Sequence, residues 1–161
     1  MTVLLDSPDI FGHTIFCDDI RLEVGGKVTY VGAYTGTMNI HAMFPVTLPK
    51  FAIAIFFNQK KEIFTANLGL RIFMPGDTQD KASIEGEVEE IPSGVAEQNV
   101  IENSAPDKNY TLMGTSMVFA PFIIKEPGLI KVRVLRDSKM HRLGVLRVVA
   151  VPIPTQQPPT G

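Results

Sequence analysis

Twelve prolines and thirteen glycines divide this chain of 161 residues into short pieces. Proline removes a backbone donor and glycine weakens any regular element it interrupts, so long uninterrupted helical windows are scarce. Most pieces between the breaks alternate apolar and polar side chains with period two, or are short apolar runs. The pattern predicts strands over about 13–24, 28–36, 37–43, 50–58, 67–74, 83–91 and 110–119, with about 129–136 and 142–151 as a closing hairpin. The second and third could form one bent strand. Strands at this spacing, with turn signals between them, argue for an all-β fold: a single antiparallel β-sandwich of about eight strands.

Organisation follows from the same reading. Residues 1–9 form an N-terminal arm, 10–153 the sandwich domain, and 154–161 a Pro-rich tail. The segment PSGVAEQNVIENSAPDKN (92–109) lacks a strong pattern. Val95, Gln98 and Glu102 are spaced for a short helix or helical turn in that loop. The final PIPTQQPPTG has few ladder donors and reads as extended. Period-long internal repeats are absent.

Composition closes off several classes. Hydrophobic residues make up 45% of the chain, which is globular in character and too apolar for disorder. The longest apolar run, FAIAIFF (51–57), is strand-sized and far short of the roughly 18–20 residues that span a bilayer. A net charge of −2 gives no general attraction to nucleic acid or anionic membrane. The opening MTVLLDSPDI carries no basic region ahead of its apolar patch, so no signal peptide is read there. A single cysteine, Cys17, excludes an internal disulfide and a multi-thiolate zinc site. Cytoplasmic residence fits, or a virion if the chain is phage-derived.

Two strands carry specific expectations. In the closing hairpin Ile130, Val132 and Val134 share one face while Lys131 and Arg133 share the other, and the chain turns through 137–141. In 51–57 both faces are apolar: Phe51, Ile53, Ile55 and Phe57 on one, Ala52, Ala54 and Phe56 on the other. That suits a central strand whose outer face is covered by a loop. It also suits a subunit contact, with Phe51, Ala52, Ala54 and Phe56 as candidate interface residues.

The stretch IFCDDIRLEVGGKVTYVGAY (15–34) reads as a hairpin with Asp18 on its apolar side. A two-residue Gly25-Gly26 turn would put Val28, Tyr30 and Tyr34 on the polar face. A three-residue Gly25-Gly26-Lys27 loop sets Val24 opposite Val28, Leu22 opposite Tyr30 and Asp18 opposite Tyr34, collecting the apolar side chains on one face. The second register is the expectation, with a glycine in the left-handed region. Asp18 then points inward and is satisfied by the Tyr34 hydroxyl, backbone N–H groups or an arginine. Both residues are assigned a structural polar role. Asp19 projects to the opposite face, so the two carboxylates form no dyad, and Cys17 reads as a packed small apolar residue.

Motifs for chemistry are missing. His13, His41 and His141 are far apart and lack ligand spacing. There is no GxSxG, P-loop, dinucleotide glycine motif or RNA-binding aromatic signature. No cofactor, metal or catalytic residue is assigned, and an enzyme is not expected. MPGDTQD (74–80) lacks full calcium-loop spacing and reads as a turn. Charge is distributed unevenly. Residues 82–107 hold Glu85, Glu87, Glu89, Glu90, Glu97, Glu102 and Asp107 with no Lys or Arg. Residues 125–147 hold Lys125, Lys131, Arg133, Arg136, Lys139, Arg142 and Arg147 against Glu126 and Asp137. Adjacent in one sheet, the two regions neutralise each other at little gain. Held apart, they can meet in neighbouring copies, which makes Lys131, Arg133, Glu87 and Glu89 candidate interface residues.

The runs FCDDIRLEVGGKVTYVGAYTG, FPVTLPKFAIAIFF, LGLRIFMPGD and PGLIKVRVL…LGVLRV together resemble a family of small uncharacterised bacterial and phage proteins, a domain of unknown function. The resemblance covers about 13–150. It implies a β-sandwich and a bacterial or viral origin, and brings no catalytic residues. The expectation is a non-catalytic protein-interaction or structural module, self-assembling or part of a phage particle, with a protein partner and no nucleic acid or membrane. The alternative is a ligand-binding sandwich that holds a small molecule or glycan in its end loops, near 44–49, 75–81 and 92–109.

Overall fold

The computed structural model describes residues 8–63, 68–87 and 110–152. The expected helical turn within 92–109, the Pro-rich tail 154–161, most of the N-terminal arm, and Glu89, Glu90, Glu97, Glu102 and Asp107 lie outside them. The described chain is nearly all β, with one 3-10 turn at Lys61–Ile63. Among the described residues there are twelve strands where about eight are expected from sequence: β1 Ile10–Cys17, β2 Asp19–Leu22, β3 Val28–Val31, β4 Thr37–Ile40, β5 Val46–Leu48, β6 Phe51–Lys60, β7 Gly69–Phe73, β8 Ile84–Glu87, β9 Tyr110–Phe119, β10 Phe122–Ile124, β11 Gly128–Arg136 and β12 Lys139–Ala150.

They form four hydrogen-bonded sheets, ordered β1-β6-β9, β4-β12-β11-β7-β8, β2-β3 and β10-β5. Pairing is antiparallel except between β12 and β4, which run parallel. Three of the sheets share one core, and the β2–β3 pair packs in a second, smaller cluster with Cys17, Ala52 and Ala54. Phe51, Ile53, Ile55 and Phe57 of β6 pack with Leu70 and Ile72 of β7, Ile130, Val132 and Val134 of β11, and Leu146 and Val148 of β12. Burial of each such side chain contributes roughly 1.5–3 kcal/mol.

The closing hairpin is tighter than its sequence suggests. Its loop is Asp137-Ser138 alone, because both residues accept positive φ, 47° and 66°, as a two-residue turn requires. One extra residue then enters β12 between Gly144 and Arg142, the partners of Val132 and Arg133. Leu143 occupies the bulge and stays buried.

The first predicted strand, 13–24, breaks at Asp18. Upstream, β1 pairs with β6. Downstream, β2 pairs with β3. The hairpin register differs from the expected one by two residues: Leu22 faces Val28 and Ile20 faces Tyr30. The loop slides to Val24-Gly25-Gly26, closed by the Glu23 N–H donating to the Lys27 carbonyl at 2.8 Å. Both glycines take positive φ, which fixes the turn on them, and Val24 is left exposed at the tip. A shift of two keeps Ile20, Leu22, Val28 and Tyr30 on one face, as predicted.

Candidate functional site

Strand β6 is central, and its own chain covers both of its faces. Phe51, Ala52 and Ala54 are fully buried, so they offer no surface to a partner and leave the set of interface candidates. The outer face packs under Cys17 and Ile20, with Ile15 and Tyr30 against them, so the β2–β3 hairpin supplies the cover. Phe56 is half-buried. His13 stacks on its ring with centroids 5.2 Å apart, and it lies in register with Gly114 of β9.

Asp18 is exposed, contrary to the inward placement expected. It sits at the crossing from one sheet to the next, where its N–H donates to the Val31 carbonyl at 2.9 Å. Its carboxylate accepts the Tyr34 hydroxyl at 2.5 Å. Gly32, at φ 64°, lies directly beneath that carboxylate, where a Cβ would collide with it. Burial, and then the hydrogen bond to Asp18, push the Tyr34 hydroxyl well above the ordinary tyrosine range. Burial also raises the Cys17 thiol, with the Asp18 charge adding to it. Asp19 turns the other way, and Lys50 at 3.0 Å holds its carboxyl below the usual range. These contacts fasten the crossing. They bring no second acid, base or nucleophile to Asp18.

The Pro-Gly-Asp loop is likewise satisfied internally. The Asp77 carboxylate accepts the Met74 N–H, the Ser83 N–H and the Ser83 hydroxyl at 2.7–2.8 Å. Its oxygens are turned to the loop's own donors, as in a turn.

The described part of the acidic region, β8 with Glu85 and Glu87, lies in one sheet with the basic hairpin, with β7 between β8 and β11. Arg71 of β7 meets Glu85 of β8 at 3.5 Å. Glu87 is exposed opposite Gly69. Beyond β7 the outer face turns cationic. Arg133 pairs in register with Arg71 on one side and Arg142 on the other. Lys131 and Arg147 lie on the same face. Sequence reasoning named Lys131 and Arg133 but missed Arg71, because a row across three strands is visible only once their register is known. An open depression of about 720 Å³ adjoins this face, lined by Pro127, Gly128, Leu129 and residues 147–150.

A second feature was not legible as a site. Strand β9, YTLMGTSMVF, pairs along all ten residues with β6. Among the described residues nothing pairs with its other edge. It carries no charge, no proline and no bulge. The other edges differ: β4 and β8 have four residues each, and β1 approaches β12 closely at Gly144.

Among the described residues, no three of His, Cys, Asp and Glu gather where a metal could bind, and no helix is long and apolar enough to cross a membrane. No family model, curated protein or solved structure matches the chain.

Proposed function

We propose that this chain is a non-catalytic protein-interaction module that assembles with a second copy of itself through β9. The observation that supports it is the edge of β9 that no other strand among the described residues pairs with. A long edge strand presents a row of unpaired N–H and C=O groups, and folded proteins commonly blunt such edges with lysine, proline, bulges or short length. Here β9 has none of these, although the other edges are short or covered. Antiparallel pairing of two identical strands is isologous and closes on itself, giving a dimer rather than a fibre. Absence of charge matters, because like charges facing each other across such a pair oppose it. The same fold reads as a sandwich of two main sheets, with the β2–β3 and β5–β10 pairs as additions. The family resemblance in the sequence suggests a bacterial or phage setting, with a particle component as one form of the module.

Light scattering behind size exclusion tests this reading. The expected mass is twice 17.7 kDa. Lysine at two outer-face positions of β9, Ser116→Lys with Val118→Lys, is expected to give a monomer with unchanged β content. A monomeric wild type at micromolar concentration sinks the proposal. So does a dimer indifferent to both lysines.

A further inference from the structure

The outer face of the five-stranded sheet carries Arg71, Lys131, Arg133, Arg142 and Arg147 against Glu85 and Glu87. Glu85 is engaged by Arg71. Arg133 and Arg142 stand directly opposite each other on adjacent strands and form no ion pair among the described residues. Directly opposed like charges destabilise a sheet. Paired Cα positions on neighbouring strands lie about 5 Å apart, so the backbone positions of Arg71, Arg133 and Arg142 form a row roughly 10 Å wide. Arg133 is held flat: one terminal nitrogen donates to the Val132 carbonyl at 2.9 Å and the Gly144 carbonyl at 3.3 Å. Arg71 is held the same way, by the carbonyls of Leu70 and Gly86. These backbone anchors pre-position the planar forks, whose remaining N–H donors suit carboxylates.

Apolar side chains flank the row. Leu129 (41% exposed), Val145 (44%) and Met140 (47%) share the face with the arginines. A polyanionic backbone needs cations alone, whereas arginine set among exposed aliphatic side chains suits a protein surface. We infer that this sheet face docks an acidic protein segment whose carboxylates meet the Arg71–Arg133–Arg142 row and whose apolar side chains cover Leu129, Val145 and Met140. The site is separate from β9 and does not rest on dimer formation.

The probe is a short labelled peptide of repeated Glu-Glu-Leu-Leu, followed by fluorescence anisotropy and by the arginine Nε–Hε NMR signals of the full chain. The signals of Arg71, Arg133 and Arg142 are expected to move on titration. Binding is expected to weaken roughly tenfold or more in Arg142→Glu, a loss of about 1.4 kcal/mol or more, and to weaken as salt rises. Arg142 is exposed and bonds no backbone group among the described residues, so this variant is expected to keep the fold even if Arg133→Gln does not. Lys27→Ala, at the far hairpin tip, is expected to bind as wild type. No binding, or binding indifferent to Arg142→Glu, overturns the inference. Tighter binding of a single-stranded oligonucleotide with the same arginine dependence also overturns it, in favour of nucleic acid.

Discussion

At Asp18 the chain leaves the β1-β6-β9 sheet for the β2–β3 hairpin, and Tyr34 fastens that crossing from the other strand's continuation. The Tyr34 N–H donates to the Phe16 carbonyl at 2.8 Å while its hydroxyl donates to Asp18. Its ring lies 6.2 Å from that of Phe51, so one residue ties the crossing to the core. Tyr34→Phe keeps the ring and removes the hydroxyl. Because Asp18 is exposed and regains water, the expected cost is about 1 kcal/mol at neutral pH. The pH dependence is more specific. The folded Tyr34 titrates above the ordinary value of 10.0. The unfolded chain therefore loses this proton first as pH rises, and the folded state binds more protons above about pH 10. Stability from this group is complete below that pH and is lost as pH climbs through the folded value. Tyr34→Phe should flatten the alkaline limb of the denaturation midpoint above about pH 10. Tyr30 and Cys17, both raised by burial, keep part of the slope. An unchanged alkaline limb would show that Tyr34 is solvated in the folded protein.

Strand β12 shows what an element adds beyond its residues. It pairs with β11 on one side and β4 on the other, and its inner face runs against β1. A Cβ on Gly144 would lie 2.5 Å from Thr14 Cβ and 2.7 Å from Thr14 Oγ1. The glycine is needed for this close approach, since its φ is unexceptional. Gly144→Ala must push β1 and β12 apart, at a cost of about 1–3 kcal/mol, read from chemical denaturation. Combining it with Thr14→Gly should cost less than the two single changes added together, the mark of a direct contact. Additive costs would place the strain elsewhere. The sequence makes β11 and β12 easy to see because Ile130, Val132 and Val134 alternate with Lys131 and Arg133. It hides β5 and β10, each three residues long and next to a proline, because so short a run has no period. Strand β9 is found at its observed bounds. That it is an edge is not written in YTLMGTSMVF, because edge status depends on partners far along the chain. The break at Asp18 is hidden for the same reason: IFCDDIRL alternates well enough for one strand, and only the separate partners of β1 and β2 divide it. The arginine row sits between these cases. Arg133 and Arg142 are visible as a basic hairpin, but Arg71 joins them only through the register of β7.

At the scale of the molecule, Phe51 connects what hydrogen bonding leaves separate. It belongs to β6, stacks on Phe122 of β10 at 4.6 Å, and lies 6.3 Å from Phe16 of β1. The same cluster holds Ile130 and Leu146 of the five-stranded sheet. Three sheets with no shared ladder therefore depend on shared packing, and that packing decides whether they unfold together. Phe51→Ala removes a ring from a site with no access to water, at an expected cost of about 3–5 kcal/mol. This is a large part of the total for a domain, typically about 5–15 kcal/mol. If this core is one unit, the loss is felt in all three sheets that build it at once. Methyl NMR of Ile55 in the three-stranded sheet, Ile130 in the five-stranded sheet and Ile124 in β10 should then report one shared denaturation midpoint, lowered equally in Phe51→Ala. Midpoints that separate in the variant, with Ile130 surviving while Ile55 and Ile124 melt, would make the five-stranded sheet a stable body of its own. The arginine face it carries would then survive the loss of the β9 edge. A shared midpoint ties both surfaces to one folding event, so that a core change that unfolds the chain removes the β9 edge and the arginine face together.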